Sequence, residues 1–416
     1  RASLFRWMRE APTHLVLDEA HRMKRGRTGA WGSATLDLAW HATRRDVLTG
    51  TPAPQHPRDL EALFEFLWPS QTRRILPREV FVPAPSSAAV ARIATAIRPL
   101  FVRTRKSELG LTEPRKTVLR LELKDLHRDI YSALVNQYSG LIPIRPSDRA
   151  RMAEMRKVVM YLLEAATNPA LLSQGSNRHD PPVFEHPRIP IPEDSDLGTL
   201  LRFYARHETP TKFTKLLEIV KTNAEQGRKT LVWSNFVNNL EMLKRDLALY
   251  QPALIHGGVP TSTQGSFGNV ATREEELARF RNDPDCAVLL ANPAAMGEGV
   301  SLHQVCHDAV YLERTFNAGQ YLQSVDRIHR LGLAEGEETR ITYLVTKGTI
   351  DEVVESRLHE KVDRLSRMLD DSDIVTMALP DEEDLEDVES GFGSPIEDER
   401  DVAALFQHLR GENAVP

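Results

Sequence analysis

The sequence predicts an α/β protein: two units built on parallel sheets, with a helical insertion between them. Three observations carry that reading. The chain has 416 residues, too many for one ordinary core. From Thr211 onward, strand-length apolar runs alternate with helix-length amphipathic ones, the pattern of parallel strands joined by crossover helices. A shorter version of the same alternation opens the chain, and a proline-dense stretch separates the two.

In chain order, Thr13-His-Leu-Val-Leu17 reads as a buried strand that ends at Asp18-Glu19-Ala20-His21. Arg45-Asp-Val-Leu-Thr49 reads as a second strand, ending at Gly50-Thr51-Pro52. Arg115 to Leu123 is expected to be a further strand that closes this first unit, residues 1–123. The first residue is not methionine, and the chain is expected to start inside that unit. Residues 124–180 carry helical periodicity, as in Met152 to Leu163, and read as an insertion. Pro181 to Pro192 is too proline-dense for either regular element, so 181–210 is read as a linker. Residues 211–346 form the second unit, with strands expected at Thr230–Trp233, Ala253–His256, Ala287–Ala291, Asp308–Leu312 and Ile341–Val345. A long helix is expected over 347–369, then an acidic tail over 370–416 that closes on a short amphipathic helix, Val402–Leu409.

Composition narrows the function classes. Hydrophobic residues make up 41% and charged residues 27%. No apolar run is long enough to cross a bilayer, and the opening residues are not a signal peptide. Two cysteines, Cys286 and Cys306, offer neither a disulfide framework nor a cysteine zinc site. A cytoplasmic protein with no membrane partner is the expectation. The net charge of −6 is uneven: Asp370 to Asp401 holds 14 acidic residues against Arg400, a local −13, so the remainder sums to −6 − (−13) = +7. A basic body beside an acidic tail suits a polyanion-binding protein. The acidic tail reads either as a solvated linker or as a mimic of DNA. Arginine outnumbers lysine by 41 to 12, which fits a GC-rich genome and also fits phosphate binding by guanidinium forks.

The motifs point to phosphoryl chemistry. Hydrolysis of a nucleotide needs one carboxylate to hold Mg²⁺ and a second group to orient and deprotonate water. Adjacent carboxylates at a strand end, Asp18 and Glu19, can supply both, at the place where open α/β sheets bind nucleotides. Leu48-Thr49-Gly50-Thr51-Pro52 offers a tight turn and hydroxyls able to relay hydrogen bonds. Gln323-Ser-Val-Asp-Arg327-Ile-His-Arg330 is expected to set two arginines on one helix face, where they can meet charge that builds on phosphate oxygens. Before it, Ala291 to Leu302 reads as a strand and then a loop whose Gly297 and Gly299 allow backbone to approach phosphate. Each of these also has an ordinary structural reading, as a turn or a solvated basic helix; their fixed order is the stronger signal.

In that order the chain resembles the SWI/SNF-type ATPases of helicase superfamily two, from about Thr13 to Leu369. Asp18 to Lys24 is similar to the family's second motif and Leu48 to Pro52 to its third. Phe101-Val-Arg-Thr-Arg-Lys106 is similar to the basic segment that follows, and Thr167-Asn-Pro169 to the element ending the helical protrusion. Leu231 to Phe236 resembles the fourth motif, His256-Gly-Gly258 the glycine turn, Met296 to Leu302 the fifth motif, Gln323 to Gly332 the sixth, and Lys347 to Asp351 the start of the brace helix. The resemblance implies two RecA-like lobes, ATP and Mg²⁺ as cofactors, and double-stranded DNA as partner. It implies that Asp18 holds Mg²⁺, Glu19 is the general base, and His21 couples the nucleotide site to Thr49 and Thr51. Arg327 and Arg330 would be arginine fingers. Thr49, Gly50, Thr51, Gly297, Gly299 and Gln323 would lie at the nucleotide, and Ser234, Asn235, His256, Gly257 and Asn292 would meet the DNA backbone. Contacts of that kind give low sequence specificity and a steep salt dependence.

The departures matter too. Leu331-Gly-Leu333 stands where the family usually has glutamine, and Thr315-Phe-Asn-Ala318 differs from its aspartate-tryptophan-asparagine-proline string. Pro293 and Met296 are also atypical, which fits a divergent prokaryotic branch with anti-phage defence among its roles. The sequence holds no Gly-Lys-Thr or Gly-Lys-Ser string. A C-terminal fragment, inactive alone, with the phosphate loop supplied by an upstream segment or a partner, is therefore expected. The other readings are a non-catalytic DNA-binding scaffold subunit and an RNA or single-strand helicase.

Overall fold

Parallel strands are stable when both their faces are covered, and the second half of the chain meets that condition with alternating side chains. The computed structural model describes residues 2–23, 25–49, 57–82, 86–102, 111–140, 149–192, 195–261, 271–296, 300–334, 336–368 and 399–411. Contacts divide it into two units, Arg1–Leu109 and Gly110–Met368, the latter joined by the C-terminal helix.

The larger unit carries a six-stranded, wholly parallel sheet. Its strands are β3 (Arg115–Leu121), β4 (Thr230–Trp233), β5 (Ala253–Ile255), β6 (Val288–Ala291), β7 (Asp308–Tyr311) and β8 (Arg340–Thr346), in the order β3-β8-β7-β4-β6-β5. Every residue of β4, β5, β6 and β7 is buried. The strand period of two splits them between two cores. Leu231, Trp233, Leu289, Ala291 and Tyr311 join one cluster. Val232, Leu290 and Val310 join the other, against Phe213, Leu216, Leu240 and Leu243 of the helices Thr211–Glu225 and Val237–Asp246.

Two expectations about organisation are corrected here. The strand expected to close the first unit exists, but it pairs with Arg340–Thr346 at the edge of the second sheet. Seven register pairs, from Arg115↔Arg340 to Leu121↔Thr346, outweigh its nearness in sequence to the first unit. Nor is 181–210 a linker. The proline-rich part is packed, with Phe184 and Ile189 buried and the Ile189 amide donating to the Leu172 carbonyl at 3.0 Å. After it comes a helix, Asp196–His207, capped by Ser195 Oγ, which accepts from the Gly198 amide at 3.1 Å. The expected insertion helices are Asp125–Tyr138 and Arg149–Thr167, and they pack on this same unit, where His127 Nε2 meets the Ala165 carbonyl at 2.6 Å.

The long helix Ile350–Met368 receives the C-terminal helix, Glu399–Leu409. Asp401, fully buried, accepts from Arg357 Nε at 2.9 Å and Lys361 Nζ at 2.7 Å. The Tyr131 hydroxyl accepts from the Ile350 amide and meets His408 Nε2, both at 2.7 Å. The acidic stretch between the two helices lies outside the described residues, as does the basic segment 103–106.

The smaller unit holds two parallel strands, β1 (His14–Leu17) and β2 (Arg44–Val47), paired from His14↔Arg44 to Leu17↔Val47. Leu36 of the helix Ala30–Ala39, Leu63 and Phe66 of the helix Leu60–Leu67, and Ile93 of the helix Ser87–Ile97 build its core. Gly32 is required there: a Cβ would fall 2.0 Å from the Gly26 carbonyl oxygen. No helix among the described residues is long and apolar enough to cross a membrane.

Candidate functional site

In the smaller unit the two strand ends bring the expected residues side by side. The Leu48 amide donates to the Leu17 carbonyl at 2.7 Å, and the Ala20 amide donates back to the Leu48 carbonyl at 3.0 Å. The Asp18–Glu19 pair therefore sits next to Leu48–Thr49. Asp18 is exposed, and its Oδ1 accepts from the Glu19 amide at 2.9 Å. Glu19 adopts φ 48°, a left-handed conformation that is strained for a residue with a Cβ. That strain turns two successive acids out of the strand direction at the open end of a parallel pair. His21 lies in the short helical turn Ala20–Met23, with its side chain outside the description. Gly50 and Thr51 also lie outside the described residues.

The larger unit gathers its expected backbone-contact residues at the C-terminal ends of β4, β5 and β6, and it turns all but Gly257 inward. Ser234, Asn235 and Asn292 are at most 4% exposed. Asn292 Nδ2 donates to the Asn235 carbonyl at 2.8 Å, its amide donates to the Ile255 carbonyl at 2.9 Å, and its Oδ1 accepts from the Ala294 amide at 3.0 Å. Asn292 thereby ties the end of β6 to β4 through its side chain and to β5 through its backbone amide. His256 is 7% exposed, and its Nδ1 accepts from the Gly258 amide at 3.0 Å. Burial, with the nearby His179, Arg273 and Lys244, lowers its pKa to about 4, so at neutral pH it is an uncharged turn-former. Gly257 is exposed, and a Cβ on it would lie 2.4 Å from the His179 carbonyl oxygen. The expected backbone-contact residues are brought together, but the buried ones shape the rim while Gly257 lies open on it.

The arginine segment differs from its expected form. The helix Ala318–Val325 ends before either arginine, so the two do not share a helix face. The chain passes into turns, and the Arg327 carbonyl accepts from the Leu302 amide at 2.8 Å instead of continuing a helical ladder. Arg327 is 9% exposed and its Nη1 donates to the Val300 carbonyl at 3.2 Å, whereas Arg330 is exposed. Gln323 is buried with Oε1 unpartnered among the described residues. Gly297 and Gly299 lie outside the description.

Two groups that the motif reading passed over organise this end of the sheet. Glu313 follows β7, is 3% exposed, and accepts from Ser234 Oγ at 2.7 Å and from the Asn235 amide. Burial raises its pKa to about 7 against the opposing hydrogen bond from Ser234. Lys212, with no exposed surface, donates to the Leu312 carbonyl at 2.8 Å and pairs with Asp351 at 2.6 Å. Glu313 has the signature that drew attention to Asp18, an acid directly after an apolar strand. Among the described residues no cluster of three or more His, Cys, Asp or Glu side chains is placed to hold a metal ion.

Comparison with known proteins gives the chain its context. Residues 6–171 match the SNF2-related domain, and residues 211–332 match the helicase conserved C-terminal domain. Among curated proteins it is similar to the TATA-binding protein-associated factor mot1 of Schizosaccharomyces pombe, 23% identical over 388 residues, covering 82% of this chain and 19% of that protein. It is similar to the transcription regulatory protein SNF2 of Saccharomyces cerevisiae, 22% identical, covering 84% and 20%. It is also similar to the chromodomain-helicase-DNA-binding protein 8 of Danio rerio, 24% identical, covering 81% and 13%. The chain spans a fifth or less of the length of these relatives. A solved structure that aligns with it is the Sulfolobus solfataricus SWI2/SNF2 ATPase core in complex with dsDNA, at TM-score 0.40 and 18% identity, covering 89% of this chain and 72% of that one. The chain thus carries a segment that matches the SNF2-related domain, followed by one that matches the helicase conserved C-terminal domain.

Proposed function

We propose that the chain is part of an ATP-dependent motor that moves along double-stranded DNA. The observation that carries this reading is the left-handed Glu19 beside Asp18, held against Leu48–Thr49 at the open ends of two parallel strands. Adjacent carboxylates, here an exposed Asp18 and a half-buried Glu19, are the hard oxygen donors that Mg²⁺ takes, one or two at a time, with phosphate oxygens completing its shell. Asp18 would hold the ion, which when bound neutralises charge on the transferred phosphoryl group. Glu19 would orient and deprotonate the attacking water. His21, Thr49 and Thr51 would couple that site to the nucleic acid, and Gly50, Gly297, Gly299 and Gln323 would lie at the nucleotide. Arg327 and Arg330 would meet the developing charge. For Arg327 that requires its guanidinium to leave the Val300 carbonyl, a change that nucleotide binding would have to drive.

DNA as partner is supported by the basic charge outside 370–401, by the strand-end rim, and by the matches to the SNF2-related and helicase conserved C-terminal domains. One relative's name, chromodomain-helicase-DNA-binding protein 8, includes DNA binding. The lobe boundaries given above, with β3 and 181–210 moved to the second lobe, belong to this proposal. So does a prokaryotic setting, which rests on the arginine excess and the divergent motifs. With no Gly-Lys-Thr or Gly-Lys-Ser string, these residues alone are expected to bind nucleotide weakly and to depend on a phosphate loop from outside this sequence. The same observation is what favours a second reading, a DNA-binding scaffold without turnover.

ATP hydrolysis by the full-length protein, with and without duplex DNA, separates the two. The motor reading expects stimulation by duplex and its loss in Glu19→Gln. Absence of turnover on any nucleic acid would leave the scaffold reading standing.

A further inference from the structure

We propose that Glu313 is a positioning residue for the DNA-facing rim, holding the Ser234–Asn235 turn and, through it, the loop that begins at Asn292. The inference rests on the DNA reading above. Geometry comes first: one carboxylate oxygen of Glu313 takes both the Ser234 hydroxyl and the Asn235 amide, so β7 grips the end of β4. The carbonyl of the same Asn235 takes Asn292 Nδ2, which carries the grip to β6 and, through the Asn292 amide, to β5. Neither Ser234 nor Asn292 presents its side chain to solvent, so the rim's shape is how they act on a ligand.

The second carboxylate oxygen of Glu313 and Oδ1 of Asn235 are both buried and unpartnered among the described residues. The charged groups that face Glu313 are Lys212 from the helix Thr211–Glu225 and Asp351 from the helix Ile350–Met368. They pair with each other at 2.6 Å, so neither alone fixes the charge of Glu313.

An ionised carboxylate is the stronger acceptor for the hydroxyl and the amide. The grip on the turn is therefore tighter when Glu313 is charged and looser when it is neutral, and its pKa of about 7 puts both forms within reach of ordinary buffers. Glu313→Gln keeps one acceptor oxygen in place and is neutral at every pH.

The test is duplex-DNA affinity of the full-length protein and its Glu313→Gln variant from pH 6 to pH 8.5 at fixed salt. The ratio of the two dissociation constants cancels histidine titration common to both. It is expected to be near one at pH 6 and to rise roughly threefold to tenfold by pH 8.5, the size of one net hydrogen bond. At pH 8.5 Glu313→Gln should cost less in the Ser234→Ala background than in the unaltered protein, because only the Asn235 amide is then left for the carboxylate to hold. A ratio that stays flat across the range overturns the positioning role and leaves the DNA reading intact, as do losses that simply add. Failure of the unaltered protein to bind duplex at any pH overturns the reading on which the proposal rests.

Discussion

Replacing Asp351 with alanine while leaving Lys212 in place would strand a buried ammonium at the junction of three helices and two strand ends. Lys212 has no exposed surface and Asp351 is 5% exposed. Asp351 Oδ2 takes Lys212 Nζ at 2.6 Å, the Thr346 amide at 2.9 Å and the Thr346 hydroxyl at 2.6 Å. Lys212 Nζ also reaches the Thr167 hydroxyl at 3.2 Å and the Leu312 carbonyl at 2.8 Å. Removing one member of such a pair costs about 3 to 5 kcal/mol, because the remaining charge is neither hydrated nor matched. That is a large share of the roughly 5 to 15 kcal/mol by which folded domains are stable. Lys212→Met should cost a similar amount by leaving the carboxylate unmatched. The double variant Lys212→Met with Asp351→Leu should recover much of the loss, since a buried pair replaced by apolar groups of like volume is roughly neutral. Urea unfolding, followed by the fluorescence of buried Trp233 and by circular dichroism, gives all three values. Single variants that cost less than about 1 kcal/mol, or a double variant whose loss equals the sum of the singles, would refute the reasoning.

Three further outcomes follow from the same structure. The Glu313 carboxyl is raised from 4.5 to about 7 in the folded chain, so its stabilising proton is fully present below about 4.5 and lost as pH rises through 7; by pH 8.5 the stability gap in favour of Glu313→Gln should have widened by about 3 kcal/mol, read from urea midpoints at each pH. His408 is lowered by burial from 6.5 to about 4, so docking of the C-terminal helix is fully present above 6.5 and weakens as pH falls towards 4; limited proteolysis should cut Glu399–Leu409 faster at pH 5 than at pH 7.5, and a helix released equally at both would contradict the burial of that histidine. Gly257→Ala forces a methyl to within 2.4 Å of the His179 carbonyl oxygen, and thermal unfolding should show a loss of about 1 to 3 kcal/mol, against no change if the turn simply opens.

Much of this architecture was legible because its signals are local. Runs such as Thr230–Trp233 are short, apolar and followed by helix-length segments, which is enough to place a strand; the split of Leu231 and Trp233 from Val232 between two cores is seen only in the structure. The pairing of Asp18–Glu19 with Leu48–Thr49 was foreshadowed by two strands that end in polar motifs. Partner choice was not legible. Nothing within Arg115–Leu121 says that its neighbour is Arg340–Thr346, because parallel pairing is settled by distant packing. Proline density argued correctly against long helices in 181–192, yet it said nothing about Phe184 and Ile189 being buried. Helical spacing also misled at Arg327 and Arg330, where the carbonyl of Arg327 is taken by the Leu302 amide and the helix has already ended at Val325. Ser234, Asn235 and Asn292 show a different limit. A polar residue after a strand can face a ligand or face its neighbours, and only the structure shows that Ser234 and Asn292 turn their side chains to Glu313 and to the Asn235 carbonyl, with the Asn235 amide held by Glu313.

The central claim is movement along duplex DNA driven by ATP, and displacement of a triplex-forming strand from a duplex tests it most directly. The full-length protein should release the third strand only when ATP and Mg²⁺ are present, and Glu19→Gln should bind the duplex yet release nothing. Release that is independent of ATP, or undiminished in Glu19→Gln, would contradict the account.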